Sequence, residues 1–210
     1  MESHATVHIK KSIFGSLFDE AAQWKIKSMI AKPTKLSGAF IIEPEPFPDE
    51  RGFFARSWSE QEFQALGVDG HFIEGNTSFN KEAGTLRGMH YQAAPHAQAK
   101  LVRCTQGSIY DVGVDLRPDS ETFRQWIGVE LSATNRRMLY VAPGFAHGYL
   151  ALMDNTEVHY QVTAAYAPKS AGGFRWNDPA FNIEWPAVES LNINQRDREY
   201  PDFIITPPNA

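Results

Sequence analysis

Lys100-Leu101-Val102-Arg103-Cys104-Thr105-Gln106-Gly107-Ser108-Ile109-Tyr110-Asp111-Val112-Gly113-Val114-Asp115-Leu116 is the stretch on which the fold class turns. In its second half Tyr110, Val112, Val114 and Leu116 alternate with Asp111, Gly113 and Asp115. A period of two sends successive side chains to opposite faces, so the segment predicts an antiparallel strand with its apolar face on a core and its polar face outward. Gln106-Gly107 joins the two halves. Glycine reaches the positive φ of a tight turn without steric cost, and the whole stretch reads as a β-hairpin.

The same texture recurs on both sides. Short runs rich in Val, Ile, Phe and Tyr, bounded by Gly, Pro, Asn and Asp, fall at 38–43, 53–58, 85–92, 126–131, 138–141, 149–153 and 157–163. One helix is expected between them. Ser59 offers an N-cap, Glu62 would complete a capping box, Phe63 and Leu66 give an apolar face, and Gly67 ends it. Many short strands with so little helix predict a mainly β sandwich or barrel. The tail after Pro186 reads as loop.

Residues 1–36 differ from the main domain, residues 37–210. Ile13, Phe14, Leu17, Ala21 and Trp24 stand at roughly helical spacing between Lys10, Lys11, Lys25 and Lys27, and Pro33 closes the segment. They predict a short amphipathic helix that packs on the domain or on a partner subunit, with attachment to a membrane surface as the alternative.

Composition narrows the chemistry. With 210 residues and 42% hydrophobic content the chain can bury a sizeable core. Its net charge of −5 argues against a nucleic-acid partner, which a basic excess would serve, but leaves room for a small anion held by clustered Arg and Lys. The single cysteine, Cys104, excludes an intramolecular disulfide and a Cys-rich zinc site. No apolar run reaches the roughly 18 residues of a membrane span, and the N-terminus lacks the apolar run of a secretory signal. The cytoplasm is the expected location, with no membrane partner.

Several familiar reactions lack their residues. There is no G-x-S-x-G elbow, no phosphate-binding G-x-x-x-x-G-K-[ST] loop and no G-x-G-x-x-G turn, and Cys104 sits among apolar neighbours. His90 is followed by Tyr91 and Gln92, so the second imidazole and the carboxylate of a barrel metal site are missing and no catalytic metal is expected. The densest polar cluster is Gly84-Thr85-Leu86-Arg87-Gly88-Met89-His90-Tyr91-Gln92, followed eight residues later by Lys100. Strict alternation would place Arg87 and His90 on opposite faces, whereas a bulge at Gly88 would turn both into one cavity. On the residues alone, a satisfied core histidine and a surface arginine remain an equal reading.

The chain resembles the dTDP-4-dehydrorhamnose 3,5-epimerase family. The resemblance rests on Asp49-Glu50-Arg51-Gly52-Phe53-Phe54, Leu86-Arg87-Gly88-Met89-His90-Tyr91-Gln92, and Ala97-Gln98-Ala99-Lys100-Leu101-Val102-Arg103. It continues through Asp111-Val112-Gly113-Val114-Asp115-Leu116-Arg117, Pro143-Gly144-Phe145-Ala146-His147-Gly148-Tyr149, Trp176-Asn177-Asp178-Pro179 and Arg196-Asp197, spanning roughly residues 36–203 in the family's order. It implies a cupin-like antiparallel β-barrel, a jelly roll with few short helices. It also implies a homodimer that binds a small-molecule sugar nucleotide and needs no metal or other cofactor.

The reaction implied inverts carbons next to the ketone of a nucleoside-diphosphate 4-keto-6-deoxy sugar, at C3, C5 or both, in deoxysugar biosynthesis. C–H bonds α to a carbonyl are acidic, so the site needs a base, an acid on the opposite face and a cation for the enolate oxygen. The resemblance makes His90 the base, since an unperturbed imidazole titrates near ~6.5. Asp197 becomes its partner carboxylate, Tyr160 the acid and Lys100 the enolate stabiliser. Tyr160 shares strand parity with Val158 and Val162, which turns it inward. Read without the resemblance, Asp197 is a solvated loop charge and Tyr160 a buried structural tyrosine.

Arg51 and Arg87 are implied to hold the diphosphate, Asn76 and Arg196 to contact the substrate, and His147 and Tyr166 to line the cavity. Asp111 belongs to a matching motif and is left open between a structural and a functional part. Two positions depart from the family's pattern: Arg56 stands where Glu is common and Glu74 where Gln is common. Both fall in the region implied to hold the nucleotide, and their opposite charges raise the expectation that they compensate each other. The alternatives are a single-centre epimerase or ketoisomerase on a related sugar nucleotide, and a non-catalytic sugar-nucleotide-binding barrel.

Overall fold

The computed structural model describes residues 29–204. The helix expected within residues 13–24 lies outside them. The chain runs through β1 (Ile30–Pro33), β2 (Ala39–Glu43), β3 (Phe47–Asp49), β4 (Gly52–Phe54) and α1 (Glu60–Ala65). It continues through β5 (Glu74–Asn80), β6 (Thr85–Gln92), β7 (Lys100–Gln106), β8 (Ser108–Asp115), β9 (Trp126–Ser132) and β10 (Met138–Val141). β11 (Phe145–Ala151), β12 (Thr156–Val162), β13 (Ala171–Gly173), β14 (Asn192–Ile193) and α2 (Gln195–Glu199) complete it.

Two antiparallel sheets face each other in a mainly β, cupin-like jelly roll, with strand orders β1-β2-β10-β7-β12-β5 and β13-β6-β11-β8-β9. β14 adds to β6 in parallel, and β3–β4 is a separate hairpin. The interior is a single apolar layer drawn from both sheets: Val102, Cys104, Leu139, Val141 and Val158 from one, and Ile109, Val129, Leu131, Phe145 and Tyr149 from the other. The two sheets follow separate hydrogen-bonded paths among the described residues, so the roll is held by this packed layer.

Each sheet is also covered on its outside. On the first, the α1 segment brings Phe63 against Leu101, Met138 and Tyr140, and burying a side chain such as Phe63 stabilises by about 1.5–3 kcal/mol. On the second, the chain from Phe174 onward lays Phe174, Phe181 and Trp185 over Val112 and Val114. That cover inverts the sequence expectation for β8. The Val112 face meets the C-terminal segment, while Asp111, Gly113 and Asp115 point between the sheets; Asp111 and Asp115 are fully buried there.

Other differences have local causes. Ser59 makes no side-chain cap bond, and Glu62 does not close a capping box because it accepts hydrogen bonds from Arg56 at 2.5 Å and from the Met29 N–H at 3.0 Å. The run expected at 53–58 stops at Phe54, since the chain leaves the hairpin to reach α1. β5 escaped the sequence reading because Glu74–Asn80 is polar on both faces. The tail is not all loop: Asn194 accepts the Asp197 N–H at 2.7 Å and starts α2.

Candidate active site

The bulge that Gly88 permits is present, which decides between the two open readings of Arg87 and His90. His147 of β11 lies opposite His90 and Tyr149 opposite Arg87, so two steps on β11 match three on β6. The extra residue turns Arg87 and His90 to the same face. Gly88 has φ +140°, and a Cβ there would stand 2.6 Å from the Gly148 Cα, so only glycine lets the strands approach this closely.

His90 Nε2 meets Asp197 Oδ1 at 2.8 Å across 107 residues of sequence. The other Asp197 oxygen accepts the Gly88 N–H at 3.1 Å. Burial alone would raise the Asp197 carboxyl; the hydrogen bond and charge of His90, the Gly88 N–H and the Arg196 charge outweigh it and hold the group below the ordinary carboxylate range. An ionised carboxylate only accepts hydrogen bonds, so Nε2 carries the proton and the neutral ring keeps its lone pair on Nδ1.

A cavity of about 170 Å³ opens beside this pair, and Lys100, Tyr160, Tyr166, Arg196 and Tyr200 line it with His90. His90 comes from the second sheet and Tyr160 from the first, which places them on opposite walls. Burial pushes the Lys100 ammonium down to about 8 against the opposing pull of Asp111. Burial also raises the Tyr160 phenol, with Tyr149 and Glu74 adding to the rise and Arg87 opposing it, so the phenol keeps its proton at neutral pH. Asn76 pairs with Tyr160 in register. Arg87 donates to Asn80 Oδ1 at 2.9 Å and to the Phe79 carbonyl at 3.2 Å, which fixes its guanidinium near the Tyr160 end of the cavity.

A second His–Asp pair lies deeper. His147 Nε2 meets Asp111 Oδ1 at 2.8 Å, both residues are buried, and Asp111 Oδ2 has no hydrogen-bond partner among the described residues. The sequence singled out both residues without anticipating that they pair.

Two of the residues singled out from sequence, Arg51 and Arg56, stand elsewhere in this protomer, while Glu74 lies near enough to Tyr160 to act on its phenol. Arg51 sits at the exposed tip of the β3–β4 hairpin, paired with Asp49 at 2.6 Å. Arg56 is committed to Glu62, so its expected compensation with Glu74 is not formed; Glu74 is exposed at the start of β5. The nearer carboxylate won because α1 presents Glu62 six residues from Arg56. Tyr200 is one of the cavity residues that sequence reasoning missed, along with Gln98 and the β13 residues Ala171 and Gly172, and its one signal is its place three residues after Asp197.

A larger cleft of about 210 Å³ lies on the outer face of the first sheet, lined by Ser57, Arg103, His159 and Gln161 among others. Burial and the Arg103 charge push His159 down there against the pull of Glu157, and among the described residues no carboxylate is hydrogen-bonded to it as Asp197 is to His90. His90, Lys100 and Tyr160, the groups suited to acid–base work, are gathered in the smaller cavity. Among the described residues no group of three or more His, Cys, Asp or Glu is arranged to hold a metal ion, and no helix is long and apolar enough to cross a membrane.

Comparison with known proteins places the chain in a family. A family model described as dTDP-4-dehydrorhamnose 3,5-epimerase matches residues 33–204. A Salmonella typhimurium protein of that name is 44% identical over 174 residues, covering 82% of this chain and 94% of the relative. A crystal structure of the Bacillus anthracis dTDP-4-dehydrorhamnose 3,5-epimerase, with TDP and PPi bound, is 44% identical with a TM-score of 0.80, covering 84% of this chain and 100% of that one. The fold is also similar to ChmJ, a 3'-monoepimerase from Streptomyces bikiniensis in complex with dTDP-quinovose, at 32% identity and a TM-score of 0.74, covering 81% of this chain and 86% of that one.

Proposed function

The chain belongs to the dTDP-4-dehydrorhamnose 3,5-epimerase family, and from that membership we propose that His90, Asp197, Tyr160 and Lys100 carry out its reaction. The protein is an isomerase, an epimerase of nucleoside-diphosphate 4-keto-6-deoxy sugars in deoxysugar biosynthesis. The observation that carries the assignment of roles is the cavity walled on one side by His90, backed by Asp197, and on the other by Tyr160, with Lys100 between the sheets.

His90 Nδ1 takes the proton from the carbon α to the ketone, and the C–H electron pair moves into the ring to form the enolate. Asp197 keeps the imidazole in the tautomer that can accept this proton and stabilises the imidazolium formed. The Lys100 ammonium faces the developing oxyanion in a poorly solvated site, where a fixed charge acts more strongly than in water. Tyr160 then delivers its phenolic proton to the opposite face, and the carbon is inverted. Exchange with solvent returns a proton to Tyr160 and removes one from His90, so the cycle closes without net proton transfer.

Arg87, Asn76, Glu74, Arg196 and Tyr166 contact the sugar nucleotide in this reading, and His147, buried against Asp111, backs the cavity wall instead of lining it. Arg51 and the hairpin that carries it reach a second protomer, making the protein a homodimer. Phe53 and Phe54 in β4 and Phe79 in β5 are about half exposed, which is unusual enough for aromatic side chains to support a covered surface there. Arg56, paired with Glu62, supports the nucleotide region from behind. The acidic net charge and single cysteine fit a cytoplasmic location.

The test is incubation in deuterated water with dTDP- and UDP-linked 4-keto-6-deoxy sugars, following C3–H and C5–H by NMR. Exchange with inversion, lost in His90→Ala, is expected, and the positions that exchange count the centres inverted. Tight binding without exchange across the panel would make the protein a binding barrel instead.

A further inference from the structure

We propose that Tyr200 is a further substrate-contacting residue of this cavity: its hydroxyl bonds an oxygen of the bound sugar nucleotide, and its ring holds the His90 imidazole in place. The inference rests on the cavity being the sugar-nucleotide site. It starts from a vacancy in the hydrogen bonding. The Tyr200 hydroxyl is buried and has no partner among the described residues. Buried hydroxyls in folded proteins are nearly always paired, and one left unpaired in a ligand cavity is a donor set aside for the ligand.

The surroundings make the position a built one. Tyr200 ends α2 with φ −55° and ψ 140°, the extended conformation that the following Pro201 imposes, so the ring is turned back toward β13 and does not continue the helix. Gly173 of β13 provides the seat: a Cβ there would lie 2.6 Å from two atoms of the Tyr200 ring. The ring then meets His90 edge-on, with centroids 6.0 Å apart and planes at 63°. This is a favourable aromatic geometry, and it limits rotation of an imidazole whose other edge is bonded to Asp197.

Arg196 lies over the ring, its guanidinium carbon 5.5 Å from the Tyr200 ring centre. The Arg196 guanidinium stands close enough to act on the phenol oxygen by charge and as a neighbouring donor, though no N–H is aligned on it; a guanidinium only donates, so the phenol's own O–H is left without an acceptor among the described residues. Burial pushes the Tyr200 phenol up, Arg196 pulls against it, and the net direction is upward, so the hydroxyl enters the complex as a donor. A phenol beside a guanidinium suits an anionic or hydroxyl oxygen. In a sugar nucleotide two sources supply one near the base, the sugar-side phosphate and a sugar hydroxyl.

Tyr200→Phe removes the hydroxyl and keeps the ring. Calorimetric titration with dTDP and with the unreactive dTDP-glucose should show weakening on the order of ten-fold for the ligand that carries the bonded oxygen. Equal weakening for both ligands identifies a phosphate oxygen, and weakening confined to dTDP-glucose identifies a sugar oxygen. Unchanged affinity for both overturns the hydroxyl's role and leaves the group to an ordered water. Because the readout is binding, it stands even if turnover is absent, which would count against the catalytic reading and not against this one. For the ring, the downfield proton resonance of His90 Nε2–H should persist in Tyr200→Phe and broaden in Tyr200→Leu, and an unaltered resonance in a folded Tyr200→Leu protein refutes the positioning role.

Discussion

Asp197→Asn is the substitution whose consequence the geometry determines most closely. Asp197 accepts two hydrogen bonds, from His90 Nε2 at 2.8 Å and from the Gly88 N–H at 3.1 Å. An asparagine has the same shape but offers one acceptor oxygen and one NH2 group. The Gly88 N–H belongs to the strand and cannot turn away, so the amide oxygen must face it. The NH2 then faces His90 Nε2, which can accept only by giving up its proton. The imidazole shifts to the tautomer protonated at Nδ1, and the lone pair that should take the substrate proton is gone. Restoring the working tautomer sets two donors against each other and forgoes a charge-assisted bond, about 2–4 kcal/mol in all, or a ~30- to ~1000-fold loss in kcat with KM little changed. Initial rates at pH 7.5 and deuterium incorporation at the substrate carbons measure it. A variant within ~3-fold of the parent rate would refute the proposed dyad. The same substitution tests linkage. The folded-state carboxyl is depressed, so its contribution to stability is full above the ordinary carboxylate value of 3.8 and fades as pH falls through the folded value. Acid denaturation below about pH 4 should therefore be shallower in Asp197→Asn, and an unchanged acid limb would contradict the lowered pKa.

Other substitutions separate the remaining roles. Tyr160→Phe should cut inversion by ~10²-fold or more while His90 still exchanges the substrate proton, so NMR should find deuterium entering with the original configuration retained; inversion at the parent rate removes Tyr160 from the mechanism. The rate should fall as pH rises through about 8, where Lys100 loses its charge. Since Asp111 opposes that loss, Asp111→Asn should move the alkaline limb to lower pH, and a limb that stays in place in a folded variant would show that Asp111 does not act on Lys100. Replacing Phe53 and Phe54 together with serine should convert the dimer to monomer in analytical ultracentrifugation and weaken dTDP binding by ~10-fold or more; a monomer of unchanged affinity would place the nucleotide within one protomer.

The sequence made the sheet framework legible because strand alternation and glycine turns are local signals. Gly88 could be read as a bulge because strict alternation would otherwise have separated Arg87 from His90. β8 shows the limit of such reading. Alternation correctly assigned Asp111 and Val112 to opposite faces but could not say which face was the interior, because both are covered, one by the first sheet and one by the chain from Phe174 onward. A strand between two layers has no outside for a polar face to occupy. Glu62 failed as a capping residue for a similar reason: Arg56 and the Met29 N–H are tertiary partners, and they outcompete a local one. The five-residue α2 has no apolar period, so on pattern alone Asn194 and Asp197 read as loop residues; only the resemblance singled out Asp197, and the fold brings both beneath β6.

The two His–Asp pairs show why residue identity alone does not define a base. Both have the same 2.8 Å contact between Nε2 and a carboxylate oxygen, and their histidines lie directly opposite in adjacent strands. They differ in access. The His90 side chain is 40% exposed and borders the cavity, while the His147 side chain is 9% exposed and its carboxylate is sealed between the sheets. A base must exchange protons with substrate and then with water, so only the His90 pair can complete a cycle. The His147 pair is suited to a fixed charge near Lys100, because enclosure strengthens the electrostatic effect of Asp111 and keeps solvent from screening it. The difference originates at Gly88: the bulge that brings Arg87 to the face of His90 also sets His90 over Asp197 at the rim, leaving His147 one strand further in.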